Sequence, residues 1–80
     1  MTIAKIKAFG ITRDILGNRE IDFPLEGTTV GALRQQLEVT YPKLKDLKLL
    51  MIAVNNAYAE DALEVQETDE IALIPPVSGG

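Results

Sequence analysis

Cysteine and histidine are both absent from the 80 residues. The lack of thiols excludes a disulfide framework and a thiolate metal site. The lack of imidazole removes the usual general base at neutral pH and the commonest zinc ligand. Because no convergent cluster of carboxylates stands in for them, we expect neither an independent enzyme nor a metal site.

Long hydrophobic runs are also missing. The longest, LLMIAV, is far too short to cross a membrane, and the first residues, MTIAKIKAFG, lack the apolar core of a signal peptide. A chain of this length builds one modest core. We therefore expect a single soluble, cytoplasmic domain that has no membrane partner.

Positive charge is confined to one part of the chain. The net charge is −4, yet residues 1–48 hold all eight basic residues against six acidic ones, while residues 49–80 hold six acidic residues and no base. Nucleic-acid binding requires clustered cations, so this pattern argues against it. The acidic half either keeps the protein soluble or steers that end of the molecule toward a basic partner.

Alternating hydrophobicity predicts strands at both ends of the chain. TIAKIKAF at the start, REIDFPL after one helical turn, and EIALI near the end alternate apolar and polar residues. Pro24 indicates that the second of these strands lies at an edge or ends there. The unbroken LLMIAV suits a strand that is covered on both faces or lies near the centre of a sheet. Asn55-Asn56 predicts a turn, AYA a very short strand, and EDALEVQETD a loop.

The clearest helix follows Thr29, whose side chain suits an N-cap. Its apolar residues recur near helical spacing on one face: Val30, Leu33, Leu37 and Tyr41. Pro42 cannot continue this helix. The next segment, KLKDLK, predicts a polar turn whose leucines point inward.

These elements predict an α+β fold in which one long helix covers one face of a sheet. The other face must meet water or a partner. Because Lys5 and Lys7 point away from the core, Phe9 does too, and Ile74 shares the side of Glu70. A contiguous apolar patch marks an interface, whereas scattered apolar side chains are ordinary. Alternation alone does not show whether Phe9 and Ile74 are neighbours.

The last residues, ALIPPVSGG, combine a stiff spacer with a slender end. The two prolines lack an N–H and favour a polyproline-like projection, so six residues reach about 20 Å beyond the sheet. Gly79 and Gly80 have no Cβ and can thread a channel that excludes other residues. The terminal carboxylate is an anion at neutral pH and a poor electrophile, so it must first be activated, as an acyl-adenylate made with ATP would be. The sequence contains no Gly-rich phosphate loop, and a separate enzyme must perform that step.

Three stretches carry a resemblance to a known family: KIKAFGITRDILG, TTVGALRQQL and AVNN…TDEIALIPPVSGG. They resemble the small subunits of molybdopterin synthase, which are ubiquitin-like sulfur carriers of the MoaD/ThiS family. The resemblance covers essentially the whole chain, and Pro-Pro-Val-Ser-Gly-Gly is its most specific part. It implies a β-grasp fold, with the first and last strands paired in parallel at the centre of a mixed sheet. Residues 1–74 would form this domain, and residues 75–80 an extended, flexible tail.

The resemblance also implies a role as sulfur carrier in molybdenum cofactor biosynthesis. An activating enzyme would adenylate Gly80 with ATP, and the adenylate would be converted to a thiocarboxylate; the chain itself would bind no cofactor. The tail would insert into the large synthase subunit and donate sulfur to cyclic pyranopterin monophosphate. The implied assembly is a heterotetramer of two small and two large subunits. The residues implied to thread into the partner are Pro75, Pro76, Val77, Ser78 and Gly79.

The family's partner-facing apolar positions align with Phe9, Tyr58 and Ile74. Ile74 stands where some relatives have an aromatic residue, which changes the expected geometry of the contact. Arg13 matches a basic position that often follows the first strand, where it either contacts the partner or braces the loop.

Two other functions stay open. A carrier of this kind can serve another pathway, such as thiamine thiazole synthesis or a tungsten cofactor, although relatives that serve thiazole are usually shorter and lack the Pro-Pro-Val spacer. A plain ubiquitin-like binding or modifier domain would have the same fold, with a tail that is conjugated to lysines or left unused.

Overall fold

The computed structural model describes residues 2–47 and 50–75. The predicted tail, apart from its first residue Pro75, lies outside this range. The elements in chain order are β1 (Thr2–Ala8), α1 (Ile11–Leu16), β2 (Glu20–Leu25), α2 (Val30–Thr40), a 3-10 helix (Pro42–Asp46), β3 (Met51–Val54), β4 (Ala57–Tyr58) and β5 (Glu70–Ile74).

The strands form one mixed sheet in the order β2-β1-β5-β3-β4. β1 and β5 are parallel at its centre, and the other three pairs are antiparallel. The predicted central pairing of the first and last strands is therefore confirmed. β2 is an edge strand, as Pro24 indicated, since a proline is tolerated where its missing N–H faces away from the ladder.

The long helix α2 packs across one face of this sheet. The Thr29 side chain accepts a hydrogen bond of 3.1 Å from the Ala32 N–H, which confirms the predicted N-cap. The helix ends at Thr40, before Pro42. Val30, Leu33 and Leu37 are buried on its inner face. The apolar side chains of the sheet that join them in one core are Ala4, Ile6, Ala8, Phe23, Leu25, Ile52, Val54, Ile71 and Leu73.

Three local predictions need refinement. β1 ends at Ala8, so Phe9 lies one residue beyond the strand instead of within it. The KLKDLK segment contains a 3-10 helix, and its Leu44 is buried as expected. β3 lies second from an edge, and the central strand is β5. On the side opposite the core Ala53 is buried, whereas Met51 is 41% exposed, so β3 is only partly covered on that face.

Candidate partner-binding site

The sheet face opposite α2 carries three of the four sequence-predicted interface residues, Phe9, Tyr58 and Ile74, and is called the open face here. Cross-strand pairs align five side chains in a row across all five strands: Glu20, Lys7, Ala72, Ala53 and Tyr58. The two alanines of this row, Ala72 on β5 and Ala53 on β3, have small side chains. The open face is therefore low at its centre and bounded by larger residues.

A shallow depression of about 370 Å³ lies at this low point. Phe9, Tyr58 and Ile74 all line it, so the structure brings the three predicted apolar interface residues to one surface feature. Phe9 is 44% exposed and Tyr58 69% exposed, while Ile74 is half-buried. The remaining lining residues are Lys7, Ala53, Asn56, Glu70 and Ala72. This contiguous arrangement is the kind that marks an interface.

An ion pair borders the same depression. Lys7 Nζ contacts the Glu70 carboxylate, joining the two central parallel strands on the open face. The hydrogen bond that Lys7 donates to the Glu70 carboxylate, together with the negative charge of Glu70, raises the pKa of Lys7 above the ordinary 10.5. Both side chains are about half exposed, so water screens the pair. The depression therefore combines apolar walls with a polar rim that is electrically balanced.

The chain leaves the sheet at this site. Ile74 is the last residue of β5, and Pro75 follows it directly. Pro75 packs against Gly10, whose φ is +57°. The first residue of the predicted tail thus lies against Gly10, the residue that follows Phe9.

Arg13 lies in a different place from the other predicted interface residues. It is exposed on α1 and lines a separate cavity with Asp14, Gly17, Asn18 and Arg19. Its guanidinium forms no ion pair with any residue in 2–47 and 50–75. The role of Arg13, partner contact or loop bracing, stays a prediction.

Sequence reasoning missed Met51 and Thr12. Met51 is 41% exposed and pairs with Ile74 on the open face, which extends the apolar surface toward β3. The unbroken LLMIAV run hid it, because a strand without alternation does not indicate which residues share a face. Thr12 is fully buried and hydrogen-bonds the backbone of Phe9. A threonine three residues after Phe9 would have been the only signal for that contact.

Another cavity, of about 850 Å³, lies on the helix side of the sheet between β2 and α2. Ile21, Phe23, Val39 and Tyr41 are among its apolar lining residues. It shares no residue with the open-face depression. It therefore contributes nothing to a site at the root of the tail.

Within residues 2–47 and 50–75, no three acidic residues converge in a group that could hold a metal ion. No helix in these ranges is long and apolar enough to cross a membrane. What the described surface provides is an apolar contact face beside the start of a C-terminal extension.

The sheet order, the parallel central pair and the single long helix define a ubiquitin-like protein of the β-grasp class. A solved structure of this class, the small archaeal modifier protein 1 (SAMP1) of Methanosarcina acetivorans, matches with a TM-score of 0.82 at 26% identity. The match covers 100% of this chain and 98% of that chain. The model of the ThiS family matches residues 6–80, and the chain belongs to that family.

Two relatives match at higher identity. The molybdopterin synthase sulfur carrier subunit of Caenorhabditis elegans is 40% identical over 85 residues, covering 100% of both chains. The molybdopterin synthase sulfur carrier subunit of Dictyostelium discoideum is 36% identical over 81 residues, covering 95% of this chain and 94% of the relative.

Proposed function

We propose that this chain is the sulfur-carrying small subunit of molybdopterin synthase and that its reactive group is the carboxylate of Gly80. One observation carries the proposal: the chain leaves the central strand at Pro75, directly after the half-buried Ile74 and against the turn that contains the exposed Phe9. A partner that docks on the open face then receives the C-terminal segment at the same site. The name and full-length similarity of the Caenorhabditis elegans relative support this assignment.

Loading of the carrier requires a separate activating enzyme. A Gly80 carboxylate oxygen attacks the α-phosphorus of ATP, which releases pyrophosphate and leaves an acyl-adenylate. A sulfur at the hydrosulfide level then attacks the acyl carbon, and AMP departs with the C–O bond electrons. The product is a thiocarboxylate at Gly80. The adenylate is needed because the free carboxylate is an anion at neutral pH, with an ordinary pKa of about 3.3–3.7.

Delivery of sulfur takes place in the large subunit. The thiocarboxylate sulfur forms a bond to a carbon of cyclic pyranopterin monophosphate, while a C–O bond of that carbon breaks and the oxygen departs with the bonding electrons. Water then cleaves the acyl–sulfur bond. This hydrolysis returns Gly80 to a carboxylate and leaves the sulfur on the substrate. A dithiolene needs two sulfurs, so carriers must be reloaded. The chain acts as a donor and not as an enzyme on its own, in a cytoplasmic heterotetramer of two small and two large subunits.

A modifier function is the second candidate, and one observation favours it. The Methanosarcina acetivorans neighbour is a small archaeal modifier protein, and it matches this chain over 100% of its length. A modifier would form an amide between Gly80 and a lysine of another protein.

A carrier for thiamine thiazole or a tungsten cofactor would instead load Gly80 in the same way, and the large partner that co-purifies would distinguish these pathways.

One alanine appended after Gly80 tests the proposed function. The extended protein buries the same core, so its free energy of unfolding should match that of the wild type. With the activating enzyme, ATP and a sulfur source, it should form no thiocarboxylate, because the required terminal glycine is blocked. A matched protein with one alanine inserted between Met1 and Thr2 should load normally. Equal loading of both proteins would contradict the assignment of Gly80.

A further inference from the structure

The turn that follows β1 has an unusual backbone at its second residue. Gly10 has φ 57° and ψ −132°, a conformation that glycine adopts readily and other residues rarely do. The Thr12 N–H donates a hydrogen bond of 3.2 Å to the Phe9 carbonyl. Residues 9–12 thus form a β-turn of type II′, which requires a positive φ at its second position.

The Thr12 hydroxyl holds this turn from within. Its oxygen accepts a hydrogen bond from the Phe9 N–H at 2.9 Å and donates one to the Phe9 carbonyl at 2.6 Å. Thr12 is the buried polar side chain of the described residues, with 0% exposure. One hydroxyl therefore bonds both backbone groups of Phe9, and removing it would leave the part-buried Phe9 N–H without this partner.

The turn is also the surface on which Pro75 rests. A Cβ built on Gly10 would lie 3.0 Å from Pro75 Cγ, closer than real Cβ contacts normally come. Gly17 provides a contrast: its φ is also positive, at 79°, but a Cβ there would meet nothing within 4 Å. The absent side chain at Gly10 therefore has a packing role in addition to its conformational one.

We infer that Gly10 and Thr12 are positioning residues for sulfur transfer, because their turn seats Pro75 and fixes the direction in which the C-terminal segment leaves β5. The inference rests on the proposed function. A partner on the open face must receive the tail while it contacts Phe9 and Ile74. Fixing the root of the tail lowers the ordering cost of insertion, so disturbing the seat should slow transfer more than it weakens docking.

The test uses the full chain loaded with thiocarboxylate at Gly80. Single-turnover sulfur transfer to cyclic pyranopterin monophosphate is measured at increasing concentrations of the large subunit. This titration separates the maximal rate from the concentration that gives half of it. Gly10→Ala should lower the maximal rate about fivefold or more, with the half-saturating concentration changed less than about twofold. Gly17→Ala is the control, since it also places a methyl group at a positive φ but without a contact to Pro75, and it should transfer like the wild type.

Further variants distinguish an effect on the contact between the turn and Pro75 from a general loss of stability. Pro75→Ala removes the atom that a Cβ at position 10 would meet, so the double variant Gly10→Ala with Pro75→Ala should transfer faster than Gly10→Ala alone. Thr12→Val should lower the maximal rate, whereas Thr12→Ser keeps the hydroxyl and should restore it. Melting temperatures are measured for every variant.

The outcomes are distinguishable. Equal maximal rates for Gly10→Ala and Gly17→Ala would overturn the inference, as would rates that simply follow the melting temperatures. A loaded wild-type protein that transfers no sulfur would contradict the proposed function itself, and the inference with it.

Discussion

Lys7 and Glu70 form an ion pair across the two central parallel strands of the sheet. They are diagonal neighbours, since Lys7 pairs in register with Ala72 and Glu70 with Lys5. The pair lies at the rim of the open-face depression, next to the residues expected to contact a partner. It links β1 to β5, the strand from which the C-terminal segment departs.

The first prediction concerns the pH dependence of this pair. The pKa of Lys7 is raised in the folded protein, above the ordinary 10.5, because Glu70 stabilises its charged form. The stabilising contribution is therefore complete below pH 10.5 and is lost as the pH rises through the folded pKa. The stability difference between the wild type and Glu70→Gln should stay constant from neutral pH upward and shrink only above that value.

Chemical denaturation at a series of pH values measures this difference. Glu38→Gln on α2 is the control, because it removes the same charge away from Lys7. If the pH profile for Glu70→Gln matches the profile for Glu38→Gln, Glu70 does not raise the pKa of Lys7.

The second prediction concerns Phe9, which is 44% exposed beside the depression. Phe9→Asp should weaken association with the large subunit by at least about 1–2 kcal/mol, because an unpaired charge would be buried in the interface. Val39→Asp is the matched control. Val39 is 78% exposed on α2, so this substitution introduces the same charge on the helix side of the protein. Calorimetric titration that gives both variants the same affinity would rule out the open face as the docking surface.

The third prediction concerns the core. Leu33 has 0% exposure on the inner face of α2. Leu33→Ala should lower the free energy of unfolding by about 2–5 kcal/mol, because it leaves a cavity between helix and sheet. Val39→Ala on the same helix should change it by less than about 0.5 kcal/mol. Denaturant midpoints compare the two, and an unchanged midpoint for Leu33→Ala would mean that α2 packs through another face.

Much of the fold could be predicted from periodicity. Alternation identified β1, β2 and β5, and the spacing of apolar residues together with Thr29 and Pro42 delimited α2. Asn55 and Asn56 both have positive φ, at 51° and 69°, as the predicted turn requires. These features are local, and the residue types determine them directly.

Strand order and close contacts could not be predicted from periodicity. The parallel pairing of β1 with β5 joins residues about as far apart as the chain allows, and only the family resemblance supplied it. Met51 lies on the open face because it pairs in register with Ile74, and the unbroken apolar run does not indicate that register. The contact between Gly10 and Pro75 likewise depends on that central pairing, because it joins the end of β1 to the end of β5.

The most direct measurement is the intact mass of the protein isolated from cells that make molybdopterin, with the activating enzyme present and sulfur plentiful. We expect a fraction in which one oxygen of the Gly80 carboxylate has been exchanged for sulfur, and fragmentation should place that sulfur on the last residue. A protein found only as the free acid under these conditions would contradict the account.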